Sequence, residues 1–460
     1  MRRLAALAAL LMLAGATGAG SDELRLVTAG AAAPPVRVTL DYRIPPRYGL
    51  DRNRDGVVDS ITAPAQVSPA TWSALVTLRW PNGGLCTGTY RWRIGGKPNV
   101  FVQQRNPVTG LPTCTFAFAG FPALDHPYRV NVTATRAGQA GTGQVILTTR
   151  DLLVVGLGDS TASGEGNPDH GITAVRWQDR RCHRSAKGFE AQVAARLESA
   201  SAKSSVTFVP LACSGASITT GMLGPYAGIS PSGGVRLPPQ VDAMKAMIGP
   251  RQADAVLVSI GINDLGFGNV ARFCFDDRVD AKTAATVDCW TKPYPTAKSS
   301  TTLQAFVRSR AAALPGRYAR LADALQRAGV PPEKVYVTEY PDATRDGAGQ
   351  SCNPLIPYLD GRPFGSPVRG TITRTEAVEA ENELVGPVNS ALKNAAATYG
   401  WHYVSGIAAQ SATHGLCAGR PWFVGVYESL VTQHDVLGTL HPNALGQQAI
   451  AGAVLSVLKP

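Results

Sequence analysis

The sequence predicts an α/β fold, a doubly wound parallel sheet over residues 150–460, preceded by a small all-β, sandwich-like domain over residues 37–149. Three observations carry this reading. Short alternating or β-branched runs recur at even spacing up to about Thr149, as in "ALVTLRW", "YRVNVTATR" and "GQVILTT", which is the pattern of antiparallel strands. From residue 150 the runs become continuously apolar ("LLVVGL", "VTFVPLA", "AVLVSIG", "KVYVTEY", "WHYVSGI"), as in strands buried on both faces. Between them lie amphipathic stretches such as Phe189–Ser199 and Leu303–Ala328, the helices that cover such a sheet.

Taken in chain order, "MRRLAALAALLMLAGATGAG" comes first, with two arginines, a short apolar stretch and a small-residue end. Residues 1–20 read as a secretory signal peptide, because the apolar part is short for a membrane span. "TAGAAAPPV" then serves as a linker. In the β region, "DRNRDGVVD" places Asp51, Asn53, Asp55 and Asp59 at alternate, calcium-loop positions with Gly56 at the turn. Hard oxygen ligands at that spacing suit a structural calcium. Thr62 stands where the bidentate acid belongs, so an ordinary Asp/Asn-rich turn is the competing reading.

Composition narrows the function classes. A chain of 460 residues with 44% hydrophobic and 17% charged residues buries substantial cores and is not disordered. The net charge of +11 favours an anionic surface as neighbour. The positive residues are scattered, without basic runs or zinc-finger spacing, which speaks against nucleic-acid binding. No segment after the leader is long and apolar enough to span a bilayer.

Export makes the eight cysteines a disulfide set. Of 105 formal pairings, neighbour pairing keeps each bridge within one domain. It gives Cys86–Cys114, Cys182–Cys213, Cys274–Cys289 and Cys352–Cys417. The absence of any C-x-x-C lowers a metal or redox reading.

The chemistry concentrates at strand ends. "VVGLGDSTASGEGNPD" ends an apolar strand on Gly158-Asp159-Ser160; "LACSGAS" carries Gly215; "VSIGINDLGF" carries Asn263; "GTLHPNALGQQAI" presents His441 before a terminal helix. The carboxyl ends of parallel strands are where a doubly wound sheet places a site. The elbow G-x-S-x-G of the α/β-hydrolases is absent. Four such pieces in this order, over roughly residues 150–460, resemble the SGNH, or GDSL-type, serine hydrolase superfamily, and the wording "GDSTASGEGNPD" with three downstream cysteine pairs is similar to its secreted bacterial lipases and esterases. The resemblance implies a flavodoxin-like, three-layer catalytic domain. It also implies a nucleophile at Ser160, a base at His441, and oxyanion donors from the Ser160 and Gly215 backbones and the Asn263 amide, with no cofactor for catalysis.

One departure stands out. The family's last motif is D-x-x-H, and here the acid's position is Gly438. The Gly438 backbone carbonyl is therefore the first candidate to orient His441, and Asp435 the second. His126, His170, His183, His402, His414 and His434 lack the helix-start setting of His441 and read as surface or structural; His434 is the nearest competitor. Asp159 and Asp264 read as caps or loop ties.

The expected activity is hydrolysis of carboxylic esters through an acyl-enzyme on Ser160, with lipid acyl esters as the favoured substrate, in a secreted protein (extracellular or periplasmic). A carbohydrate or polysaccharide O-deacetylase of the same fold is one alternative. A cell-surface glycan-binding protein with an auxiliary hydrolase domain is another.

Overall fold

A computed structural model describes residues 34–48, 67, 71–98, 100–121, 126–148, 150–229, 235–276, 288–295, 301–352 and 373–459. The leader segment 1–20 and the acidic loop with Asp51, Asn53, Asp55 and Asp59 lie outside the described residues.

The N-terminal region comprises β1 (Val36–Arg37), β2 (Thr39–Arg43), β3 (Trp72–Arg79), β4 (Thr89–Ile94), β5 (Lys97–Pro98), β6 (Val102–Arg105), β7 (Pro112–Phe121), β8 (Pro127–Arg136) and β9 (Gln139–Thr148). They form two sheets, ordered β1-β9-β8-β4-β5 and β2-β3-β7-β6, antiparallel throughout except for the β1–β9 pair. Alternation in β3 and β4 sends Trp72, Ala74, Val76 and Leu78, and Tyr90, Trp92 and Ile94, into one core shared with Phe116 and Phe118. The period of two in the sequence is this division into core and solvent faces.

β9 ends at Thr148 and β10 (Arg150–Gly158) begins two residues later. With β11 (Ser204–Pro210), β12 (Ala255–Ser259), β13 (Val335–Thr338) and β14 (His402–Val404) it forms a five-stranded sheet, ordered β11-β10-β12-β13-β14 and parallel in every pair. Within β10, Leu153, Val155 and Leu157 enter one core, whereas Leu152 and Val154 enter another on the opposite face. Both faces are covered, which accounts for the unbroken apolar run.

The helices are α1 (Ser160–Ser163), α2 (Phe189–Ala200), α3 (Gln240–Ile248), α4 (Phe267–Asp276), α5 (Leu303–Ala312), α6 (Leu314–Arg327), α7 (Arg374–Ala380), α8 (Gly386–Tyr399), α9 (Ile407–Ser411), α10 (Val426–Thr432) and α11 (Ala444–Val457). The expected stretch Leu303–Ala328 is two helices, with Pro315 in the first turn of the second. Proline has no N–H to donate and its ring clashes with a preceding helical carbonyl, so it starts a helix and does not continue one.

All four expected disulfides are present. Among the described residues, no helix is long and apolar enough to cross a membrane. The two regions meet where the Ile44 N–H donates to the Ala202 carbonyl at 2.8 Å and the buried Tyr48 ring packs edge-on against Phe208.

Candidate active site

β10, β11 and β12 are the three adjacent strands at which the sheet's order reverses, and the crevice outside their carboxyl ends is the place where such sheets take ligands. Ser160 follows β10, Gly215 follows β11, and Asn263 follows β12. Ser160 is the first residue of α1, so its backbone N–H has no acceptor within the helix. Asp159 caps that helix, its Oδ1 accepting from the Thr161 N–H at 3.0 Å, while its Oδ2 accepts from the Tyr340 hydroxyl. Burial, with a smaller push from the Asp264 charge, raises the Asp159 carboxyl to about 7.

Gly215 adopts φ +81°, and a Cβ there would lie 2.3 Å from the Tyr226 hydroxyl oxygen. Only glycine fits, on both backbone and steric grounds. Tyr226 donates to the Ser214 carbonyl at 3.0 Å. Asn263 lies in a 3₁₀ turn, and its Nδ2 donates to the Ala216 carbonyl at 2.9 Å. That bond leaves the amide's second hydrogen for a ligand. Asp264 ties the same two loops together. One oxygen accepts from the Ile218 N–H at 2.8 Å and the other pairs with Arg317 at 2.9 Å. Asp159 and Asp264 thus hold loops, as their sequence context indicates.

His441 precedes α11, whose cap is Asn443. The ring is buried and sits edge-on to Phe267 at 6.0 Å between centroids. Among the described residues, backbone carbonyls, and no carboxylate, lie within hydrogen-bond reach of the ring. The Gly438 carbonyl accepts the backbone N–H of His441 at 3.1 Å, whereas ring Nδ1 lies 3.2 Å from the Thr439 carbonyl oxygen. Asp435 does not bond the ring: its Oδ1 accepts from Gln433 Nε2 and from the Leu437 N–H. Leu440, between Thr439 and His441, adopts the left-handed region at φ +64°. Burial lowers the His441 pKa below its ordinary value; the Glu165 charge and the carbonyls of Thr439, Gly438 and Leu437 oppose that shift. His434, the competitor, has Nε2 2.7 Å from the Ile172 carbonyl oxygen.

Ser160 and His441 both line each of two cavities. The first is walled by Ile262, Phe267, Val270, Trp290, Leu384 and Phe423 among others. The second, about 550 Å³, is lined also by Gly215, Asn263, Val426, Val436 and Leu437. Cys274 lines the first cavity, so the Cys274–Cys289 bridge borders it. Among the described residues, one cluster of metal-type donors occurs, Asp288, Cys289 and Glu376. It is not a metal site, because the Cys289 sulfur is in a disulfide and the Glu376 carboxylate caps α7.

Sequence reasoning passed over Glu165, five residues after the candidate nucleophile. It is fully buried and accepts from His183 Nδ1 at 2.9 Å, Ser214 Oγ at 2.5 Å and Gln433 Nε2 at 2.8 Å. An acid between two glycines inside an otherwise small-residue loop was the available signal. Asn167 was also missed. Its Nδ2 donates to the Pro442 carbonyl at 2.8 Å and so joins the Ser160 loop to the His441 loop.

A comparison with curated proteins gave no match. Residues 157–449, a span that includes Ser160, Gly215, Asn263 and His441, match the model of the GDSL-like Lipase/Acylhydrolase family. The chain therefore belongs to that family, within the SGNH/GDSL hydrolase superfamily.

Proposed function

We propose that the protein is a secreted serine ester hydrolase that cleaves lipid acyl esters through an acyl-enzyme on Ser160. The observation that carries the substrate class is the largely apolar lining around Ser160 and His441, with Ile262, Phe267, Val270, Trp290, Leu384 and Phe423 on one side and Val426, Val436 and Leu437 on the other. An acyl chain gains free energy by leaving water for such a surface, about 0.8 kcal/mol for each buried methylene. A short, hydrated acetyl group gains little there, which ranks the O-deacetylase reading second.

In the proposed reaction His441 takes the Ser160 hydroxyl proton as Ser160 Oγ attacks the ester carbonyl carbon. The developing oxyanion accepts from the Ser160 N–H, the Gly215 N–H and Asn263 Nδ2. His441 then returns the proton to the departing alcohol, and water hydrolyses the acyl-enzyme by the same route. No metal is needed for this chemistry. The orienting partner of the imidazole is a backbone carbonyl, so the working unit is a Ser-His dyad.

Four disulfides and the leader-like N-terminus support export. The β1–β9 region reads as an accessory domain, and the basic net charge of +11 suits an anionic lipid surface as its neighbour.

The test has two parts. A serine-directed phosphonate should label Ser160 alone, and a folded Ser160→Ala variant should lose essentially all esterase activity. Across p-nitrophenyl esters from acetyl to palmitoyl, kcat/KM should rise with chain length before levelling. A steady preference for acetyl would reject the lipid assignment; label on another residue would reject the nucleophile.

A further inference from the structure

Position 438, where the family carries its acid, is glycine, and the structure shows why a side chain does not fit there. A Cβ on Gly438 would lie 2.8 Å from Gly166 Cα, 2.9 Å from Gln433 Oε1 and 2.9 Å from Ser429 Oγ. The loop that follows the nucleophile therefore packs backbone to backbone on the loop that carries the base. The residue before Gly166 is Glu165, the buried carboxylate described above.

The partners of Glu165 are two arms toward the site and one away from it. Ser214 Oγ donates to it from the residue next to Gly215. Gln433 Nε2 donates to it and also to Asp435 Oδ1, and Asp435 in turn accepts from the Leu437 N–H at 2.8 Å. On the far side His183 Nδ1 donates, its ring stacked on Trp177 at 4.3 Å between centroids.

We infer that Glu165 is the positioning acid of this enzyme: from the nucleophile's own loop it supplies the negative charge that stabilises the His441 imidazolium, in place of an acid at position 438, and it holds the oxyanion loop through Ser214. The Thr439 carbonyl sets the tautomer of the ring, and the formal charge comes from Glu165 without a direct hydrogen bond to it. Burial works against ionisation of Glu165, but the His183 bond and charge, the field of His441 and the Ser214 bond outweigh it and hold the carboxyl below its ordinary range. The titratable groups facing Glu165 are His183, His441 and Tyr226, with Asp435 reached through Gln433.

This inference rests on the ester-hydrolase reading, and its test separates the two. Wild-type protein is first shown to hydrolyse a p-nitrophenyl ester and to take the phosphonate on Ser160; failure here sinks the hydrolase reading itself. Glu165→Gln is then compared over pH 4 to 9. The amide can accept from His183 and Gln433 through its oxygen and donate to Ser214 Oγ, since a hydroxyl can accept as well as donate. The acidic limb of kcat/KM should move down by about one pH unit and kcat/KM at pH 8 should drop about tenfold, the factor that one unit of imidazolium stabilisation represents. His183→Gln keeps a donor to Glu165 and should leave the limb in place. If Glu165→Gln does not fold, Ser214→Ala and Ser214→Ala/Glu165→Gln provide the same comparison with more room for the amide. An active wild type whose limb stays put when the charge is removed overturns the inference, whatever happens to kcat. So does a limb that falls with His183→Gln as far as with Glu165→Gln.

Discussion

Gly215→Ala isolates the contribution of the proposed oxyanion loop. An alanine at φ +81° occupies the left-handed region at a cost of about 1–2 kcal/mol. Its methyl would also meet the Tyr226 hydroxyl oxygen at 2.3 Å and the Ile229 Cγ2 at 3.3 Å. Tyr226 must withdraw, giving up its 3.0 Å bond to the Ser214 carbonyl, worth about 1 kcal/mol. The sum is about 2–3 kcal/mol of stability. The functional cost comes from the displaced 215 N–H. Loss of one oxyanion donor lowers kcat about 10²–10³-fold, and KM for a p-nitrophenyl ester should change far less. Tyr226→Phe relieves part of the clash, because the nearest ring carbon, Cζ, lies at 3.5 Å. The double variant Gly215→Ala/Tyr226→Phe should therefore regain stability over the single one while keeping most of the kcat defect. Thermal unfolding and initial-rate kinetics on the four proteins read both quantities. A Gly215→Ala enzyme with wild-type kcat would show that this N–H does not face the oxyanion.

Three further outcomes follow from the same geometry. Asp435→Asn should cost less than about tenfold in kcat, since its Oδ1 serves Gln433 and the Leu437 N–H and not the ring; a loss near the roughly 10⁴-fold of a true triad acid would restore it to that role. The kcat/KM profile should fall on acidification through a pKa below the ordinary imidazole value of about 6.5, because burial disfavours the imidazolium and the base works only when neutral; an inflection above 6.5 contradicts this. Removing the Cys182–Cys213 bridge, with its sequence separation of 31, should lower unfolding stability by about 3–4 kcal/mol in the loop-entropy description, measured by denaturant titration of the paired Cys→Ser variant. A change under 1 kcal/mol would mean that the bridge constrains little.

Much of this molecule is written locally. Alternation in β3 and β4 and the apolar runs of β10 and β12 declare how many faces of each strand are buried, a property of neighbouring residues that needs no tertiary information. Ser160, Gly215, Asn263 and His441 could be picked out because each stands at a strand end or helix start, and because the four short contexts, in that order, resemble the SGNH superfamily. The four disulfide pairs followed from neighbour pairing, which keeps each bridge within one domain.

What orients and charges His441 could not be read that way, because it depends on contacts between segments far apart in sequence. Glu165 meets Gln433 across 268 residues and Ser214 across 49; a Cβ at position 438 would meet the backbone of Gly166, 272 positions away, besides Gln433 and Ser429. The sequence pointed to residue 438 through family spacing, whereas in the fold the carbonyl of Thr439 lies 3.2 Å from ring Nδ1. Local patterning by itself determined the sheet, the helices and the residues at their ends. Only the folded chain decided which backbone carbonyl reaches the imidazole and which side chains the buried Glu165 carboxylate meets, because those are distances between loops, and packing alone sets them.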